Sequence, residues 1–333
     1  MKAAEHVFSL PGFENECSQI REILNSSASV LSIAHPFSDG DALGSQLALH
    51  YFCKSHGKVS VPLNFDPLPP QLCWYKGVSE LQNSIPEDQM FDVLFLMETT
   101  ELDRIGDRKR FLKNARRVVH IDHHLNVSGQ GGTNIVDISA SSASEILFII
   151  LAGMSEKELP LEVLNAVYLG VMTDTGNFRF PCTSRRTHEI AGYLIEKGVD
   201  HSYIYKQVYE TSTFTRLKLH GTVMARSKLH EGGKIISSVL YQKDFDDIGA
   251  SEVDADGSVA TITVVAGTEV SAFFRERSDG EVKISLRSAG KIDVQRILSV
   301  FGGGGHKLAA GGSIKGTVSD VEKLILSEIA KNL

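Results

Sequence analysis

The stretch VLSIAHPFSDGDALGSQLALHYFCKSHG, residues 30–57, decides the fold. Residues 30–34 are an apolar run suited to a buried strand. Pro36 disfavours helix at the residue before it, so the run ends at His35. Residues 42–56 then read as a helix with Leu43, Leu47 and Phe52 on its inner side, stopped by Gly57. Gly40 suits a tight turn between the two.

The same signal recurs outward from this stretch. Residues 59–63, 91–97 (FDVLFLM) and 117–121 are further apolar runs, and 16–25, 161–172 and 184–197 read as helices. Ser184 is placed to cap the last of these and Gly198 to stop it. Alternating strand and helix signals favour an α/β fold with a mostly parallel sheet flanked by helices. Beyond a polar stretch at 209–213 the pattern changes. Residues 234–241, 270–274 and 282–286 alternate like strands, 293–301 read as a short helix, and a last helix starts near Ser319. A chain of 333 residues exceeds what one core usually organises. The expected division is a first domain at 1–210, a linker at 211–224 and a smaller α/β domain at 225–333.

Composition narrows the function. A hydrophobic share of 42% and a charged share of 23% are ordinary for a soluble globular chain. No apolar run is long enough to span a bilayer, and the start MKAAEHVFSLPGFENE lacks the apolar core of a signal peptide. The expectation is a cytoplasmic protein with no membrane partner. Cys17, Cys53, Cys73 and Cys182 form no CxxC pair, so they read as buried or half-buried thiols. A net charge of −7 argues against long double-stranded nucleic acid and leaves room for a small phosphorylated substrate.

In parallel sheets, ligands bind beyond the carboxyl ends of the strands. His35, Asp39 and Asp41 follow one apolar run, Glu98 another, and Asp122, His123 and His124 a third, while Asp174 ends a helix. Hard oxygen ligands, imidazole nitrogen and a shared carboxylate are what a two-metal phosphoesterase requires. Of the two adjacent histidines, one can ligate metal and its neighbour can carry a proton or bind a phosphate oxygen. Asp122 can orient a ring. His120, His188 and His220 stand outside these clusters. In the second part, the run FGGGGHKLAAGG at 301–312 lets a phosphate or ribose approach backbone N–H groups, and His306 projects where the glycines end. Arg287 offers a guanidinium fork to a phosphate, and Ser288 a hydroxyl.

Five motifs in this order, HPFSDGDALGS, DHH, DTGNFRF, SLRS and FGGGGHKLAAGG, resemble the DHH-family phosphoesterases with a C-terminal DHHA1 domain. Among these the chain resembles the NrnA-type nanoRNase and 3'-phosphoadenosine 5'-phosphate (pAp) phosphatase group. The resemblance implies a cleft between the domains and two Mn²⁺ ions, with Mg²⁺ as the substitute. It assigns His35 and Asp39 to one ion and Asp41, His123 and Asp174 to the other, with His124 as proton donor or transition-state stabiliser. The position that bridges both ions is Asp in the family and Glu98 here; Asp103 lies too late in the segment. Arg287 and His306 take the roles that grip a terminal phosphate, joined by Ser288, Gly303, Gly304 and Gly305. Arg275, Arg277 and Lys307 are weaker members of the same positive wall. Phe37 and Phe178 are candidates for stacking on bases, although a core position is the plainer reading of both. The implied reaction is attack of a metal-activated hydroxide on phosphorus, in short RNA oligonucleotides or pAp. Linear or cyclic di-adenylate phosphodiesterase activity is the rival. A low-turnover nucleotide sensor is another, because of Glu98.

Overall fold

The computed structural model describes residues 8–99, 102–124, 132–155 and 158–333. The chain divides into two compact units, 1–211 and 212–333.

In the first unit the elements run α1 (Glu14–Ser26), β1 (Ser29–Ala34), α2 (Gly40–Ser55), β2 (Val59–Leu63), β3 (Val93–Met97), β4 (Val118–Asp122), β5 (Thr133–Val136), α3 (Ala143–Ala152), α4 (Leu161–Asp174), α5 (Arg185–Glu196) and α6 (His201–Tyr209). The strands form one parallel sheet in the order β2-β1-β3-β4-β5. Every residue of β3 is buried, as expected of a strand covered on both faces. Val30, Phe95, Val119 and Ile135 pack toward the helices. Leu31, Ile33, Leu94 and Leu96 pack toward Phe91, Ile105 and Phe111 on the other face. The chain steps from β1 outward to β2 and then back past β1 to β3, so the direction of winding reverses between β1 and β3. The crevice at such a reversal is where open α/β sheets bind ligands.

Gly40 corrects the expectation of a tight turn: it is the first residue of α2, and its φ is not positive. A Cβ there would lie 2.3 Å from Thr173 Oγ1, and one at Gly44 would lie 2.5 Å from the Ala166 carbonyl. These glycines let α2 and α4 cross closely. Cys73 is exposed rather than buried, and all four thiols are free.

In the second unit the elements are α7 (Phe214–Ala225), β6 (Lys228–His230), β7 (Ile235–Leu240), α8 (Gln242–Ile248), β8 (Val270–Glu276), β9 (Glu281–Ser288), α9 (Val294–Ser299), β10 (Gly304–His306), β11 (Ala309–Lys315) and α10 (Val318–Ala330). The sheet order is β10-β11-β9-β8-β7-β6, antiparallel except for β7 beside β8. Residues 211–224, read as linker, contain most of α7. Its Leu219 and Val223 are buried with Ile236, Leu240 and Phe273. Among the described residues no helix is long and apolar enough to cross a membrane.

The glycine run is partly regular structure. Half of it is strand β10, hydrogen-bonded to β11. A Cβ at Gly303 would lie 2.7 Å from the Gly311 carbonyl, and one at Gly305 2.5 Å from the Ala309 carbonyl. Gly305 also holds φ at 136°. Backbone packing against β11 therefore requires these two glycines, whereas a Cβ at Gly304 would meet open space.

Candidate functional site

The strand ends bring the expected residues together. His35 follows β1, Glu98 follows β3, and His123 and His124 follow β4, while α4 delivers Asp174 from its last turn. Three groups each offer donor atoms within 4.8 Å of one another: His35, Asp39 and Glu98; Asp41, His123 and Asp174; and Glu98, His123 and His124. Glu98 and His123 each belong to two of the groups, which makes the set continuous.

Each donor is aimed by backbone. Asp39, not Asp41, caps α2, accepting the amides of Asp41 and Ala42 at 3.1 and 3.0 Å. Asp41 instead reaches across to the first turn of α3, accepting the amides of Ala143 at 2.6 Å and Ser144 at 2.9 Å. A carboxylate buried to 1% exposure is tolerable there because the helix terminus supplies orphan donors and positive potential. His35 Nδ1 meets the Pro36 carbonyl at 2.8 Å, which leaves Nε2 directed toward Asp39 and Glu98, 3.8 Å from an oxygen of each. Glu98 sits at φ 52°, a left-handed backbone uncommon for a residue with a side chain and typical of strained functional positions.

Asp122 organises the histidine pair. One of its oxygens accepts the amides of His123 and His124 at 2.7 and 2.9 Å and meets His124 Nδ1 at 2.8 Å. These bonds hold the carboxyl well below the usual range despite burial, with His120 and His124 the main partners. His120, read as standing apart, is fully buried with Nε2 3.5 Å from the other Asp122 oxygen.

The remaining carboxylates crowd one another. Burial, then the charges of Asp41 and Asp39, push Asp174 up to about 8. The same causes, in the same order, raise Glu98 well above the carboxylate range. Such a cluster either takes up protons or takes up cations. Glu98 Oε1 and His123 Nε2 are buried without a hydrogen-bond partner among the described residues. Oxygen and imidazole donors with unused lone pairs fit divalent Mn or Mg.

A second network supports α3. Glu145 is fully buried and accepts from Arg186, Ser141 and Thr187 at 2.7, 2.6 and 2.8 Å, and Arg186 also bonds Asp137 at 3.0 Å. It ties α5 and the end of β5 to the turn that holds Asp41. Sequence reasoning missed it. The available signal was Ser142-x-x-Glu145 ahead of the apolar run ILFIILA, the pattern of a capped helix start.

In the second unit Arg287 on β9 pairs with Ala309 on β11, which pairs with His306 on β10. Residues aligned in a row share a face, so Arg287 and His306 stand about 10 Å apart on one side of the sheet. Arg287, Ser285, Lys283 and Arg275 line a polar cavity of about 210 Å³ closed by residues 255–259. Ser288 does not join them: strand alternation turns it to the opposite face, where its hydroxyl accepts the Gly290 amide at 3.1 Å. Arg275 is committed to Glu252, 2.9 Å from both its carbonyl and a carboxylate oxygen. Arg277 pairs with Asp279 at 3.2 Å. Phe37 is 72% exposed rather than a core residue, and Phe178 stacks on His188 at 5.5 Å. Asp103 lies outside the described side chains.

Comparison with known proteins agrees with this architecture. The model of the DHH family N-terminal domain matches residues 29–171, and that of the DHHA1 domain matches 232–332. The chain is 31% identical over 310 residues, 92% of its length and 90% of the relative, to "Bifunctional oligoribonuclease and PAP phosphatase NrnA" of Thermus thermophilus. The protein of the same name from Bacillus subtilis is 30% identical over 84% of this chain and 87% of the relative. An exopolyphosphatase-related protein from Bacteroides fragilis superposes with a TM-score of 0.86 at 27% identity, covering 96% of both chains. The chain therefore belongs to the DHH family of phosphoesterases and carries a DHHA1 domain. Within that family its relatives group it with the NrnA type.

Proposed function

We propose that this enzyme hydrolyses very short oligoribonucleotides and pAp with two Mn²⁺ ions. The observation that carries the reading is the continuous set of donor groups that Glu98 and His123 join. The names of the relatives from Thermus and Bacillus support the substrate class.

In this reading His35, Asp39 and Glu98 hold one ion, and Asp41, His123, Asp174 and Glu98 the other. Bound there, the ions would lower the pKa of water and neutralise charge on the phosphoryl oxygens. His124, 43% exposed at its side chain, is the proton donor to the leaving oxygen. Asp122 fixes its ring by accepting Nδ1–H, so that Nε2 carries the transferred proton. Arg287, Lys283 and Ser285 bind a second phosphate of the substrate. His306, on the same face as Arg287, assists. Phe37, exposed on the loop between His35 and Asp39, offers a face for a base. The chain's net charge of −7 disfavours long strands.

The test is a side-by-side assay of pAp, a 5'-phosphorylated dinucleotide and pApA with and without Mn²⁺. Manganese-dependent release of phosphate or mononucleotide is the expected result. Failure of the folded, metal-loaded protein on all three, with turnover appearing only in Glu98→Asp, assigns a sensor instead.

A further inference from the structure

A further cavity, in the first unit, is separate from the metal centre. It has a volume of about 310 Å³, and Tyr51, Trp74, Tyr75, Glu162, Asn165 and Tyr203 are among its lining residues. Glu162 and Asn165 belong to the first turns of α4, whereas Asp174 ends that helix. Nine residues of helix set Asn165 roughly 14 Å from Asp174 along the axis.

The walls are aromatic. Trp74 meets Tyr203 edge to face at 5.5 Å and Tyr75 at 5.4 Å. Its Nε1–H donates to the Gln71 carbonyl at 2.8 Å, so the indole presents an apolar body to the cavity. Asp200 caps α6, accepting the Tyr203 amide, but three other polar groups are unused. Among the described residues none hydrogen-bonds the hydroxyl of Tyr51 or Tyr75, or the side-chain amide of Asn165. Burial raises both phenols above their ordinary range, helped by Glu80 and Glu162 at Tyr51 and by Tyr51 and Glu162 at Tyr75, so both remain donors at neutral pH.

We propose that this cavity binds a nucleobase, as part of an uncharged nucleoside. A flat aromatic wall takes the π-face of a base. A side-chain amide offers a donor and an acceptor side by side, the complement of an adenine edge. The two phenol hydroxyls suit ring nitrogens. Glu162 and Asp200 outnumber Lys76 among the lining charges and disfavour a phosphate, which separates this site from the phosphate-binding chemistry proposed above. The inference goes beyond that reading, and its test needs no turnover.

Trp74 is the chain's single tryptophan, so its emission reports on this cavity alone. The intact protein is titrated with adenosine, with ribose 5-phosphate and with choline while tryptophan fluorescence is recorded. Adenosine should give a saturable change, ribose 5-phosphate none. Asn165→Leu and Tyr203→Ala should each weaken the response tenfold or more, while Glu98→Gln leaves it unchanged. Tyr203 is 51% exposed, so its alanine variant keeps the test usable where Asn165→Leu does not fold, as checked by circular dichroism. The proposal is overturned by the absence of saturation at millimolar adenosine, by a response that survives Tyr203→Ala, or by saturation with choline alone.

Discussion

The two units handle charge in opposite ways. In the first, Asp41, Glu98 and Asp122 are almost wholly buried, and Asp174 lies beside them. Negative charge is collected where water is scarce, and backbone amides and imidazoles aim it. In the second, Lys283 and Arg287 line a polar cavity and His306 stands on an exposed edge strand. Positive charge is collected where it remains accessible. A dry cluster of carboxylates demands cations, whereas an open cluster of cations selects phosphate by fork geometry. The first unit is therefore expected to set the chemistry and the second the choice of substrate.

Substitutions can break this division. The largest effect is expected for Asp41→Asn, which removes a metal donor, the whole negative charge and one of the two oxygens that accept the α3 amides. Manganese-dependent turnover should fall below detection, measured as phosphate release from pAp. His124→Ala should lower kcat by roughly 10²–10⁴-fold. Asp122→Asn should lower it by roughly 10–100-fold, because the ring is then oriented less firmly. Arg287→Ala should act mainly on KM. A hydrogen bond to a charged group contributes about 1.5–3 kcal/mol, so KM should rise by about tenfold to a hundredfold while kcat changes little. A loss confined to kcat would contradict the assignment of substrate choice to the second unit. Smaller still is the contrast between two neighbouring glycines. Gly303→Ala should destabilise the protein by about 1–3 kcal/mol in urea unfolding, since its Cβ would strike the Gly311 carbonyl. Gly304→Ala, with open space beside it, should leave stability unchanged.

A pH dependence sharpens the same comparison. Asp174 is raised from 3.8 to about 8 in the folded state without metal. Between these values the folded protein binds more protons than the unfolded chain, so stability must fall as pH rises through that window. Glu98 acts in the same direction. Metal-free protein should show a lower Tm at pH 8 than at pH 5, and saturating Mn²⁺ should remove most of the difference. Equal Tm values without metal would show that the carboxylates are not crowded.

The first unit was the more legible because strand ends carry local marks. The apolar runs before His35, Glu98 and Asp122 and the helix ending at Asp174 each locate one part of the site in a few residues. What could not be read there depends on distant packing. Gly40 looked like a turn glycine because nothing local announces Thr173. The partners of Asp41 were not legible because nothing local announces that α3 presents its amides. In the second unit, Arg287 was legible as a cation on a strand. Ser288 was misplaced because a slip of one residue changes the face of a sheet. The glycine run was read for its ligand, yet two of its members are required by the β10–β11 hairpin. Residues 211–224 read as linker because α7 buries only two of its side chains, Leu219 and Val223, which leaves a weak apolar pattern.

The most direct test of the account is anomalous diffraction at the manganese edge from crystals of the full chain grown with Mn²⁺. Two peaks are expected in the first unit, one touching His35 and Asp39, the other touching Asp41, His123 and Asp174, with Glu98 reaching both. A single peak, or peaks away from these side chains, would contradict it.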